Sequence, residues 1–143
     1  MKIPHKILVV EDDISNQKIL DFYLTDYEKV IIVATGEEAI NEYKSNHFDL
    51  VLMDIRLQGS IDGTKTMKKM KELEENKQIL VLAVTAYALK GDKEYFLQEG
   101  FSGYLAKPFV KNTFLEYIQQ FLPPHSLLLK GCTYYGKNYG REN

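Results

Sequence analysis

The sequence predicts an α/β fold: a doubly wound sheet of five parallel strands in the order 2-1-3-4-5, with five helices. Three observations carry that prediction. Five short apolar runs recur along the chain, and such runs bounded by polar punctuation read as strands buried on both faces. Between them lie stretches whose apolar residues repeat at helical spacing, and strand–helix alternation implies a parallel sheet covered by helices on both sides. Right-handed crossovers then leave few topologies, of which this order is the natural one.

The elements follow in chain order. Lys6-Ile7-Leu8-Val9-Val10 is the first strand, and it ends in three acids, Glu11-Asp12-Asp13. Residues 14–27 read as a helix, with Leu20, Tyr23, Leu24 and Tyr27 forming one stripe. Val30-Ile31-Ile32-Val33 is the β-branched second strand. Gly36 opens a helix to about Lys44 that buries Ala39, Ile40 and Tyr43, and Asp49 to Met53 is the third strand. A Gly-bearing loop leads to a helix over 64–75, with Met67, Met70 and Leu73 turned inward. Residues 79–84 make the fourth strand, which ends at Thr85. Residues 88–99 make a helix with a thin stripe (Leu89, Phe96, Leu97) that Gly100 terminates. Gly103 to Ala106 is a short fifth strand. A last helix from about Lys111 carries Phe114, Leu115, Ile118, Phe121 and Leu122 on its apolar face, and Pro123-Pro124 stops it. The whole is a flavodoxin-like arrangement.

Composition narrows the function classes. A chain of 143 residues is one domain by length, large enough for a real core. A net charge of −2 with dispersed lysines and arginines argues against direct nucleic-acid binding. The single cysteine, Cys132, permits no internal disulfide. The first residues lack the apolar core of a signal peptide, and no run reaches membrane-spanning length. A cytoplasmic protein without membrane contact is the expectation. Residues 5–122 form the predicted domain. Residues 123–143, rich in Gly, Tyr and Asn, are expected to be a poorly ordered extension or a docking segment.

The chemistry collects at the carboxyl edge of the predicted sheet, where ligands gather in open α/β folds. Asp54 stands at the end of the most apolar run, Leu50-Val51-Leu52-Met53. Under the predicted topology Asp12, Asp13, Thr85 and Lys107 join it there. Taken singly, each has a plainer explanation: Asp12 or Asp13 could cap the next helix, and Lys107 could be a solvated surface lysine. Together they are harder to dismiss. Three close carboxylates repel one another, and a divalent cation relieves that repulsion. Hard oxygen ligands suit Mg²⁺. A hydroxyl and an ammonium beside the acids add nothing to a metal site but do suit a phosphoryl group.

At this point the residues resemble a known family, the receiver domains of two-component response regulators. The matching segments are Ile7-Leu8-Val9-Val10-Glu11-Asp12-Asp13, Leu52-Met53-Asp54-Ile55, Asp62-Gly63, Val84-Thr85-Ala86 and Gly103-Tyr104-Leu105-Ala106-Lys107-Pro108-Phe109. Ala88 to Asp92 and Asn16-Gln17 are most similar to receivers of hybrid histidine kinases or stand-alone phosphorelay receivers. The resemblance implies that Asp54 takes a phosphoryl group from a histidine of a sensor kinase or a phosphotransfer protein. It implies Mg²⁺, or Mn²⁺ in its place, on Asp12, Asp13, Asp54 and the Arg56 carbonyl, with Asp13 a direct ligand. Thr85 and Lys107 would hold the phosphoryl oxygens, and Ala86 would leave them room. The Lys107-Pro108 bond would be cis. Thr85 and Tyr104 would form a switch read by a downstream protein on the fourth helix, fifth strand and fifth helix. Such a protein is a signalling phosphoacceptor that loses its phosphoryl group slowly, not a turnover enzyme.

Two features depart from the commonest pattern. The loop before Asp62-Gly63 is one residue longer, with Gln58-Gly59 where a proline is usual. Arg56 and Tyr87 flank the site with large side chains, and Tyr87 is expected to shield the phosphoryl group from water. The competing class is an aspartate-based phosphatase of the haloacid dehalogenase type. That class places a second Asp two residues after the nucleophile, where this chain has Arg56.

Overall fold

A computed structural model describes residues 2–73, 78–86 and 91–122. Five strands, β1 (Ile3–Val10), β2 (Tyr27–Val33), β3 (Leu50–Asp54), β4 (Val81–Thr85) and β5 (Gly103–Ala106), alternate with five helices. The helices are α1 (Ile14–Tyr23), α2 (Gly36–Ser45), α3 (Gly63–Glu72), α4 (Asp92–Glu99) and α5 (Lys111–Phe121). All strand pairs are parallel, in the order β2-β1-β3-β4-β5. The predicted fold class and strand order are therefore the observed ones.

Alternation along the strands sorts the core into two layers. Leu8, Val10, Val51, Met53, Val81 and Ala83 face one side, packed with Ala39 of α2, Met67 and Met70 of α3, and Phe96 of α4. Ile7, Val9, Leu50, Leu52, Leu82, Val84 and Leu105 face the other, against Leu20 of α1 and Phe114 and Ile118 of α5. The central strands are apolar on both faces because both faces are covered.

The boundaries differ from the sequence expectation at identifiable places. Tyr27 belongs to β2, not to the first helix. Leu24 caps α1, the Thr25 hydroxyl turns back to the Phe22 carbonyl at 2.7 Å, and Tyr27 starts a new strand paired with Ile3. Strand β1 likewise begins earlier, at Ile3, with its register shifted across Pro4-His5. Pro4 has no amide to donate to a ladder. Leu73 caps α3 and is exposed rather than turned inward, and Leu97 is also exposed. The predicted start of the fourth helix and its Leu89 lie outside the described residues, as do Tyr87 and residues 123–143.

Candidate functional site

Parallel strands point their carboxyl ends the same way, so β1, β3, β4 and β5 deliver their last residues to one edge. The registers place Val10 beside Met53, Asp54 beside Val84, and Thr85 beside Ala106. The residues that follow these strands therefore meet.

Asp54 is the last residue of β3 and is 6% exposed. Its Oδ1 accepts the Arg56 amide at 3.2 Å, and its Oδ2 lies 3.6 Å from Lys107 Nζ. Burial, then the neighbouring charge of Glu11, pushes its pKa from 3.8 to about 7, against the pull of Lys107 and of the Arg56 amide. Lys107 also reaches Glu11 Oε1 at 2.9 Å. Burial works against its ammonium, but the hydrogen bond to Glu11 and the charges of Asp54 and Glu11 outweigh it and hold the lysine above its ordinary pKa. The Lys107 amide donates to the Thr85 carbonyl at 2.8 Å, and Thr85 itself is buried. Ala86 is exposed at the mouth. The Lys107-Pro108 peptide is cis.

The first acid pair differs from the sequence expectation. The carboxylates that converge with Asp54 are those of Glu11 and Asp12, with one oxygen from each of the three within 4.8 Å of the others. Asp13 is not in this group. It is exposed, and its Oδ2 accepts the Asn16 amide at 2.9 Å as the N-cap of α1, the plainer role open to it from the start. Glu11 takes the inner place because β1 runs one residue further in hydrogen bonding than in apolar sequence: its amide still donates to Val33 of β2 at 2.9 Å. Glu11 is 1% exposed.

Strand alternation could have found it. Ile7 and Val9 share a face with Leu50, Leu52 and Leu105, and two more steps along each strand reach Glu11, Asp54 and Lys107. Thr85 instead continues the alternation of Val81 and Ala83, on the side where the Tyr104 ring stacks on Phe96 at 5.4 Å.

The loop after β3 closes the site. Its Gln58 amide donates to Asp12 Oδ2 at 3.1 Å. Asp62 caps α3 by accepting the Lys65 amide at 2.9 Å. Gly63 lies against the strand end: a Cβ there would stand 2.8 Å from Ile55 Cα and closer still to the Asp54 carbonyl oxygen. Only glycine lets α3 start so near the acid.

Three carboxylates and one lysine thus meet at the carboxyl edge of the sheet, with Thr85 at the end of the neighbouring strand. The donor set is all oxygen, and half-buried Asp12 opens it to water, which fits a hard cation such as Mg²⁺ that keeps part of its hydration. The Arg56 carbonyl belongs to the same loop. Tyr87, the other flanking residue named from the sequence, lies outside the described residues.

Comparison with known proteins agrees with this geometry. The family model described as "Response regulator receiver domain" matches residues 7–119. The polar-differentiation response regulator DivK of Brucella ovis is 37% identical over 117 residues, covering 81% of this chain and 94% of that protein. Hybrid signal transduction histidine kinase I of Dictyostelium discoideum is 40% identical over 114 residues, 74% of this chain but 6% of that kinase. Among solved structures, the receiver domain of the Pseudomonas aeruginosa sensor histidine kinase PA1611, which has magnesium coordinated in its active-site cleft, superposes with a TM-score of 0.71. It shares 34% identity, covering 82% of this chain and 97% of that one. Among the described residues no helix is long and apolar enough to cross a membrane.

Proposed function

The chain belongs to the response regulator receiver domain family, and from that premise we propose that Asp54 is its phosphoacceptor, served by Mg²⁺ held on Glu11, Asp12, Asp54 and the Arg56 carbonyl. The observation that carries this reading is the convergence of three carboxylates with a lysine that bridges two of them. Acids so placed are costly unless a cation joins them, and a lysine so placed is positioned for an anion. The phosphatase alternative finds no support in the relatives.

The chemistry follows from the residues. Bound at the acids, Mg²⁺ supplies positive charge that keeps Asp54 ionised and offsets charge on the phosphoryl oxygens. An Asp54 carboxylate oxygen forms a bond to phosphorus as the phosphorus–nitrogen bond of a phosphohistidine breaks, the electron pair leaving with the imidazole. Lys107 pairs with a phosphoryl oxygen, the Thr85 hydroxyl donates to another, and exposed Ala86 leaves space. Phosphoryl transfer asks a protein chiefly for such positioning and electrostatics. Water removes the phosphoryl group slowly.

The donor is a histidine kinase or a histidine phosphotransfer protein. Exposed Ile14, Ile19 and Phe22 on α1, with Val110 just before α5, offer such a donor apolar surface, and Ile19 lines a groove together with Lys107. Output passes to an effector protein through α4, β5 and α5, with Thr85 at the end of β4 and Tyr104 in β5 as the switch. Such switching is a shift between two packings of these elements.

Intact mass spectrometry after treatment with acetyl phosphate and Mg²⁺ tests the assignment. One phosphoryl group is expected on the wild type, and none on Asp54→Ala or on wild type in chelator. Equal uptake by Asp54→Ala would overturn it.

A further inference from the structure

The loop between β3 and α3 touches the acidic cluster on one side and α2 on the other. Its Arg56 amide orients Asp54 and its Gln58 amide orients Asp12. Two of the three converging acids are thus aimed by a stretch with no regular structure of its own and no proline to stiffen it.

The first turn of α2 helps to hold that stretch, beside Leu57 packed on the core and the Gly63 amide donated to the Ile55 carbonyl at 3.0 Å. The Ser60 hydroxyl donates to Glu37 Oε2. Gly59, at φ 109°, brings its backbone so close that a Cβ there would stand 3.3 Å from Glu37 Oε1. Ile61 packs where Gly36 lacks a side chain, its Cγ1 2.9 Å from the position a Gly36 Cβ would take. The α2 turn is itself rigid, because Thr35 and Glu38 form a reciprocal capping box. The Ser60 hydroxyl also keeps the Glu37 carboxylate below its usual pKa range, so the acceptor stays charged.

We propose that Ser60 and Glu37 form a clasp that positions the β3–α3 loop over the acids, making both residues positioning residues for cation binding and, through it, for phosphoryl uptake. The inference rests on the metal reading of Glu11, Asp12 and Asp54 given above. Neither residue faces the cluster. Their effect runs through the backbone between Arg56 and Ser60, as outer contacts orient the ligands of a metal. In this chain the clasp stands in for the stiffness a proline would give the loop.

Magnesium titration by calorimetry, on the full chain, tests it. Ser60→Ala and Glu37→Ala are each expected to weaken Mg²⁺ binding about threefold to tenfold, the scale of one ordinary hydrogen bond. The double variant should be no weaker than either single one, because both remove the same contact. Glu37→Gln, which keeps the acceptor oxygen but not the charge, should stay close to wild type. Thermal unfolding in chelator should barely move in any of them, since both side chains are exposed.

Unchanged affinity in Ser60→Ala, or losses that multiply in the double variant, overturns the clasp. So does a Glu37→Gln as weak as Glu37→Ala, which would make the effect one of bulk charge. A wild type that binds no Mg²⁺, or binds it equally with Asp12→Asn, sinks the metal reading itself, and that failure is seen in the control before any clasp variant is compared.

Discussion

Replacing Asp54 with asparagine should stabilise the folded protein, by an amount that depends on pH. In the absence of metal the carboxyl is buried, faces Glu11, and has its pKa pushed from 3.8 to about 7. Each pKa unit corresponds to about 1.4 kcal/mol, so the ionised carboxylate costs the fold up to about 4 kcal/mol above pH 7. Water at the mouth of the cleft screens part of this, and roughly 2–4 kcal/mol is the expected gain for the neutral amide at pH 8. In a domain of this size that is roughly 8–16 °C in Tm.

The sign is fixed by proton counting. Between about pH 4 and pH 7 the folded state keeps a proton that the unfolded state has released, so wild-type stability falls as pH rises through this window. Below pH 4 both states are protonated and the advantage of Asp54→Asn vanishes. Thermal unfolding of both proteins in chelator from pH 4 to pH 8 measures it. Added Mg²⁺ should narrow the gap by stabilising the wild type more. A variant no more stable than wild type at pH 8, or an advantage as large at pH 4, would refute the argument that burial and Glu11 set the state of Asp54.

Two other perturbations bear on the same edge. Lys107→Met strands Glu11 and removes the cation 3.6 Å from Asp54. It should cost about 2–4 kcal/mol in urea denaturation at pH 8 and less at pH 5, where Asp54 holds its proton. Tyr117→Phe removes the phenol oxygen that accepts the Tyr104 amide of β5 at 2.9 Å. A loss of about 1 kcal/mol is expected, with faster hydrogen exchange at that amide; an unchanged exchange rate would show that water replaces the phenol at no cost.

How far the sequence could be read depended on the range of the interaction. Strand runs such as Leu50 to Met53 declared themselves because a strand covered on both faces must be apolar throughout. The placing of Asp54, Thr85 and Lys107 at one sheet edge followed from topology. Tyr27 was misplaced because the spacing Leu20, Tyr23, Leu24, Tyr27 fits a helix whether or not Thr25-Asp26 breaks it, and only pairing with Ile3 decides. Glu11 was passed over because three successive acids look alike in a row, whereas the fold gives each a different direction. The contact of Ser60 with Glu37 joins positions far apart in the chain, and no local pattern announces it.

Under the proposed function, the division of faces would let this edge both receive a charge and report it. Below the edge the sheet separates two cores that share no side chains: one against α1 and α5, the other against α2, α3 and α4. Glu11, Asp54 and Lys107 continue the first face; Thr85 and Tyr104 continue the second. At the strand ends the sheet stops being a wall, and the Lys107 amide bonded to the Thr85 carbonyl joins residues of opposite faces. Under the proposed function, a phosphoryl group on Asp54 draws Lys107 on its own side and the Thr85 hydroxyl from the other. The second core is the one disturbed, and its neighbour there is Tyr104, whose buried hydroxyl has no hydrogen-bond partner among the described residues. A ring packed on the core beside Phe96, with a hydroxyl that has no partner among the described residues, loses no hydrogen bond of its own by moving. Helix α4 carries Phe96 as its one buried side chain, so under the proposed function a shift of the Tyr104 ring would bear directly on its seat.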